Sequence, residues 1–314
     1  MMRRLCLPVV LALLSAPLHA AEPEKYLPNA TQAIVTIHVK PFLESALFKD
    51  NLDGVKQAWK QLGFDQTMTD CLGLNPFADI ERVQLALLPN MDNEPPLLLL
   101  HGTFDPAKVQ AALQKCVKDG KSHVEKYEHN GRSFHRLRLD PSDAEKPLYA
   151  APLSDGVVAL STSPDRIVEA IDKKDGKRKT ELRKDVQNLL SRIDARHAVS
   201  VASLSGPLNF AGLLGNAPGN LQNLAGGIVL GEDMKLELAM TARDIQSAKS
   251  AAGQLTDQLN QLKAAVAVLV TQQKQFTPLA DLVNGARISA QSNEVTFKLT
   301  VPKELIDSVF KKSE

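Results

Sequence analysis

Three histidines, His123, His129 and His135, crowd around an Asn130-Gly131 pair. Two or three convergent imidazoles would make a zinc or copper site, so their spacing is the first test. At the rise of a β-strand, His123 and His129 lie about 20 Å apart. His129 and His135 bracket the turn at unequal distances, so they do not stand opposite each other. The expectation is exposed hairpin histidines and no metal. His38, His101 and His197 stand singly on strands or strand starts and read as structural or exposed.

Ser161 and Ser163, close to Asp165, have the residue types of a nucleophile and its orienting acid. Their position before Pro164 fits a helix cap instead. The G-x-S-x-G elbow, H-E-x-x-H, the P-loop and G-x-G-x-x-G are all absent, and Gly226-Gly227 alone makes no dinucleotide loop. No cofactor is therefore expected. A glycosidase needs only two carboxylates, and Asp70, Asp79 and Glu81, near the loop-rich Gly73–Pro76, are the candidates, with surface solvation as their default. No residue is assigned a catalytic, cofactor-binding or metal-binding role.

The cysteines depend on compartment. Arg3 and Arg4 precede an apolar run from Leu5 to Leu18, and Ala20-Ala21 offers a cleavage site. This is the layout of a secretory signal peptide cut after Ala20, and the run is too short to span a bilayer. The mature chain is expected in the periplasm or outside the cell, with no transmembrane anchor. Cys6 leaves with the signal. Cys71 and Cys116 remain, each on an apolar helical face. Export permits a Cys71–Cys116 disulfide; two buried thiols are the other reading, and the Cα separation decides between them.

The elements that must position these residues follow from periodicity. Gln32–Val39 alternates as a strand, and Leu52, Val55, Trp59 and Leu62 mark a helix. Strands are expected at Glu81–Pro89 and Leu97–Phe104, then a helix opened by Asp105-Pro106. Asn130-Gly131 predicts a hairpin between His123–His129 and Arg132–Leu139. A second hairpin joins Pro147–Leu153 to Val157–Thr162, and Ser163-Pro164 starts a helix.

The plan then returns: strand Ala198–Leu204, a loosely helical stretch at Leu208–Leu224, strands Ala225–Leu230 and Met234–Thr241, and a helix from Asp244 to about Gln273. The hairpin Ala286–Gln291/Glu294–Val301 and a helix after Pro302 close the chain. Within the long helix, Ala264–Val270 is apolar on every side. Such a segment must be covered on every side, so it is expected to be core, with packing against a partner protomer or an apolar ligand cavity as the alternatives.

These patterns predict an α+β protein of two similar modules, each an antiparallel sheet with helices packed on at least one face. The expected division is a signal at 1–20, a first module at 21–172, a linker and connecting helix at 173–192, and a second module at 193–314. Basic residues cluster at Asp172–Lys184, but interleaved acids make it a solvated linker rather than an anion site.

Removing the signal takes two arginines and no acids, so 37 basic and 36 acidic residues become 35 and 36. Near-neutrality excludes the electrostatic footprint of a nucleic-acid binder and a general attraction to anionic lipid. Only 4 % of residues are aromatic, leaving few stacking faces.

The pattern resembles a group of uncharacterised exported proteins of planctomycete-type bacteria. The resembling pieces are Tyr26-Leu27-Pro28 after the signal, strand Ala33–Val39 with Lys40-Pro41-Phe42-Leu43, the passage Gly102–Leu113, and Asp194–Ser200. The resemblance implies export and a tandem α+β architecture, and it supplies no activity or site residues. The functional expectation is a non-enzymatic component of the envelope, structural or binding another envelope or secreted protein. The alternatives are a hydrolase whose site forms only on folding, and a carrier of an apolar ligand.

Overall fold

A computed structural model describes residues 25–49, 72–90, 94–119, 124–138, 147–154, 156–204 and 221–311, with a few single residues between 50 and 71. The expected signal peptide, the helix at Leu52–Leu62 apart from Leu52 and Lys56, and His123, Asp70 and Cys71 lie outside the described residues. The stretch at 205–220 lies outside them too.

The first half supplies strands β1 (Ala33–His38), β2 (Ile80–Leu87), β3 (Leu97–Gly102), β4 (Val124–His129), β5 (Arg132–Leu137), β6 (Leu148–Ser154) and β7 (Val157–Ser161). Its helices are α1 (Val39–Glu44), α2 (Ala46–Lys49), α3 (Pro106–Lys118) and α4 (Pro164–Lys174), followed by α5 (Lys184–Leu190). The second half supplies β8 (Val199–Leu204), β9 (Leu221–Leu230), β10 (Met234–Ala242), β11 (Arg287–Gln291) and β12 (Glu294–Val301). Its helices are α6 (Ile245–Gln272), α7 (Thr277–Gly285) and α8 (Lys303–Lys311). The fold is α+β.

All twelve strands join one sheet in the order β11-β12-β10-β9-β8-β1-β2-β3-β7-β6-β5-β4. The two halves meet where β1 and β8 pair antiparallel, Ala33 opposite Ser203. Outward from that junction the order is β1-β2-β3-β7-β6 on one side and β8-β9-β10-β12-β11 on the other. The β4–β5 hairpin extends the first side only. The sheet is therefore continuous, rather than divided between the halves.

Local chemistry explains the punctuation. Asp105 caps α3 by accepting from Ala107 N at 2.7 Å, and Asp244 caps α6 by accepting from Ser247 N at 2.7 Å. Asn130 and Gly131 both take positive φ (48° and 71°), as a two-residue hairpin turn requires. Two expectations change. Leu221–Leu224 is strand, the start of β9, rather than helix, because its partners on β8 extend to Leu204 opposite Asn223. α7, opened by Pro278, fills the gap before β11.

The two sides of the sheet are covered differently. In β3 and β7 nearly every residue is apolar, and successive side chains point to opposite faces. Leu97, Leu99 and Ala159 pack beneath α4 and α5 with Tyr26 and Leu27. Leu98, Leu100, Val158 and Leu160 pack on α3 from the other face. In the second half β10 and β12 alternate. Met240, Ala242 and Val295 pack against Ala248, Ala251 and Leu255 of α6. The opposite face is polar, and there Lys298 and Glu237, directly opposed, pair at 2.7 Å.

Candidate functional site

Register across the central strands collects side chains that the sequence scatters. On one face of the sheet His38 of β1 stands opposite Arg82 of β2, and Arg82 opposite His101 of β3. The Arg82 guanidinium lies 3.2 Å from His101 Nδ1. Two residues along, Ser200, Thr36 and Gln84 form the next row, and Gln84 Nε2 donates to Thr36 Oγ1 at 3.5 Å. Gly227 continues that row, opposite Ser200. A Cβ on Gly227 would fall within the radii of Val199 O and of the His197 ring, so the glycine lets that imidazole lie against β9. The three solitary histidines thus share one face.

Their environment decides what they can do. Burial, reinforced by the Arg82 charge, pushes His101 down to about 4. Burial and Arg82 also lower His38. Burial lowers His197 against the opposing pull of Asp194 and Glu237. All three are neutral at pH 7. An imidazole near 4 is too weak a base to deprotonate a hydroxyl at neutral pH, so this row is suited to hydrogen bonding rather than proton transfer.

The hairpin histidines differ from expectation in one case. His135 is only 4 % exposed, because its strand β5 is covered by β4 on one side and β6 on the other while α3 overlies the sheet. It is therefore not an exposed hairpin histidine. His129 pairs with Asp165 at 2.7 Å, and Asn130 Nδ2 donates to the same carboxylate oxygen at 3.2 Å. Folding thus brings a His and an Asp close to Ser161 and Ser163. Yet the Ser161 hydroxyl donates to Pro96 O at 2.7 Å and accepts from Ser163 N at 3.1 Å. Its lone pair and proton are both engaged, so it braces the start of α4. The His129–Asp165 contact ties the β4–β5 turn to the same helix. Among the described residues no three His, Cys, Asp or Glu side chains cluster as a metal site.

The candidate carboxylates stay apart from this face. Asp79 accepts from Asn75 N at 2.7 Å and closes a turn. Glu81 is exposed. Cys116 is buried on the inward face of α3 with Val109 and Leu113.

The basic run at Asp172–Lys184 is not simply solvated. Lys173 closes α4, is buried, and pairs with Glu169 at 3.0 Å while donating to Leu27 O. Glu169 also pairs with Arg166 and Arg178 and accepts from Asn29 N at 3.1 Å. Burial alone would raise the Glu169 carboxyl, but Lys173, the Asn29 N–H and Arg178 hold it below its usual range. Thr180 Oγ1 donates to Lys25 O. These contacts strap residues 25–29 onto α4 and the segment after it.

One further surface stands out. α6 runs for 28 residues, about 42 Å, whereas β12 beside it spans eight residues, about 27 Å. The first half of α6 is held by the sheet. The second half overhangs it, with α7 folding back against it. Of the segment expected to be core, Val266 is buried. Val268 is 56 % exposed and Leu269 41 %, with Leu262 at 52 % just before it and Leu279 of α7 at 37 %. The expectation of burial fails because the sheet ends before the apolar segment does. No charged residue interrupts α6 between Lys263 and its end at Gln272. Among the described residues no helix is long and apolar enough to cross a membrane.

Comparison with known proteins gives the fold alone. No family model and no curated protein sequence matches the chain. Crystal form III of TP0453 superposes with a TM-score of 0.52 at 8 % identity, over 91 % of this chain and 96 % of that one. Crystal form I of TP0453 gives 0.49 at 7 % identity, over 91 % and 95 %. At this identity, the chain is similar to TP0453 in its α+β architecture.

Proposed function

We propose that this is an exported, non-enzymatic binding protein that engages another protein of the envelope through the overhanging arm of α6 and α7. The observation that carries the reading is the arm itself: Val268 and Leu269, on the stretch of α6 that carries no charge after Lys263, are open to solvent, as are Leu262 just before that lysine and Leu279 of α7. Large side chains grouped in this way, rather than scattered singly, mark interaction surfaces. The neutral imidazoles at the sheet centre and the engaged hydroxyl of Ser161 support a non-catalytic role. The Arg3-Arg4 pair followed by the apolar run Leu5–Leu18 has the pattern of a signal peptide and supports the reading of an exported protein.

The test is a photo-crosslinking amino acid at position 268, expressed in the exporting cell, with position 298 on the polar face of the sheet as control. A discrete heavier adduct at 268, absent at 298 and lost in Leu262→Glu/Leu269→Glu, is the expected result. No adduct at 268, or an adduct containing only a second copy of this chain, overturns the reading.

A further inference from the structure

A second concave place lies toward the opposite edge of the sheet from the arm. Between α3 and the β4–β5 hairpin lies a pocket of about 210 Å³ lined by Gln110, Gln114, Val117, Lys118, Lys126, Ser133 and His135. That is room for roughly seven water-sized groups. The four α3 residues lie at i, i+4, i+7 and i+8, one face of the helix. Lys126 and His135 are directly opposed across β4 and β5, and Ser133 lies two residues from His135, so all three share the sheet face below that helix.

His135 forms the floor. It is almost wholly buried, and its Nδ1 has no hydrogen-bond partner. A proton on Nδ1 would bury a donor with no acceptor, whereas a lone pair there is the lesser loss. The ring therefore carries its proton on Nε2, the one nitrogen left to serve a ligand. Burial, with Lys126 nearby, keeps the ring neutral. Of the two lysines at the rim, Lys126 lies 3.4 Å from Glu128, so the pair presents a net charge of about +1. Val117, 37 % exposed, gives one wall an apolar surface.

We propose that this pocket binds a small monocarboxylate with a short apolar tail. The carboxylate meets Lys118, Lys126 and the Nε2–H of His135, and the tail lies against Val117. One net positive charge matches one negative charge. A dianion would enter an apolar-walled site with its second charge uncompensated. Gln110, Gln114 and Ser133 supply hydrogen bonds to polar substituents.

The experiment is an NMR titration of the mature protein with butyrate, inorganic phosphate and n-butanol in turn, following the His135 ring and the Val117 methyls. The expected result is a saturable shift of both groups with butyrate, at least tenfold weaker in Lys118→Ala and in Lys126→Ala. These exposed substitutions leave the core intact, so the test does not depend on a His135 variant folding. Absence of saturation with butyrate overturns the proposal. So does an equal response to butanol, which would mean apolar contact only, or a response to phosphate as strong as to butyrate.

Discussion

His101 is a residue whose surroundings, not its neighbours in sequence, set its chemistry. Its folded-state value of about 4 lies below the 6.5 of the unfolded chain. As pH falls below 6.5, the unfolded chain takes up a proton that the folded chain refuses until about pH 4. The stability contributed by the neutral ring is thus complete above pH 6.5 and lost as pH falls through that window. Urea denaturation at pH 7.5 and pH 5 should differ by about 2 kcal/mol from this residue, and His101→Gln should remove that share. His38, His135 and His197 shift in the same direction. Glu169 poses the other residue-scale question. Its carboxylate compensates a lysine whose side chain is 1 % exposed, so Glu169→Gln should cost about 3 kcal/mol. The double change Glu169→Gln/Lys173→Met should recover much of that loss, since no buried charge is then left alone. Neither constellation was legible in sequence. Positions 38, 82 and 101 meet only through strand register, and the loops between them carry no signal of it.

At the scale of elements, most boundaries were legible because short-range chemistry fixes them. Asn130-Gly131, Asp105-Pro106 and Asp244 state their turn or cap directly, and all three form as expected. Ala264–Val270 misled because periodicity reports what a helix would bury, while the extent of its support is set elsewhere. Two substitutions on α6 separate the cases. Leu255→Ala, within the sheet-held half, should cost about 2–5 kcal/mol. Val268→Asp, on the overhang, should change stability by no more than about 0.5 kcal/mol, measured by thermal unfolding with circular dichroism. On β9, Gly227→Val should cost about 3 kcal/mol, since the added atoms meet the carbonyl of Val199 and the His197 ring.

For the whole molecule, the sequence pointed to two modules with a sheet each, whereas the twelve strands form one sheet, seven on one side of the β1–β8 junction and five on the other. What periodicity could not convey is that the first strand of each half is the partner of the other, so that one sheet runs through both. The central strands should accordingly be the last to open. Hydrogen exchange read by mass spectrometry should find β1, β2 and β8 the slowest, and β4 and β11, at the two edges, the fastest. Equal exchange across the sheet would contradict a single cooperative centre.

The pairing of Ala33 with Ser203 also sets a schedule. A strand completed at His38 has to wait until residue 203 exists before its second edge can close. At ribosomal rates of about 5–20 residues per second, that delay is on the order of ten seconds or more. Throughout it, β1 presents unpaired amides and carbonyls to every other chain in the vicinity. A newborn copy therefore has a long infancy, and its yield should depend on attendants that shield the N-terminal region until the second half arrives.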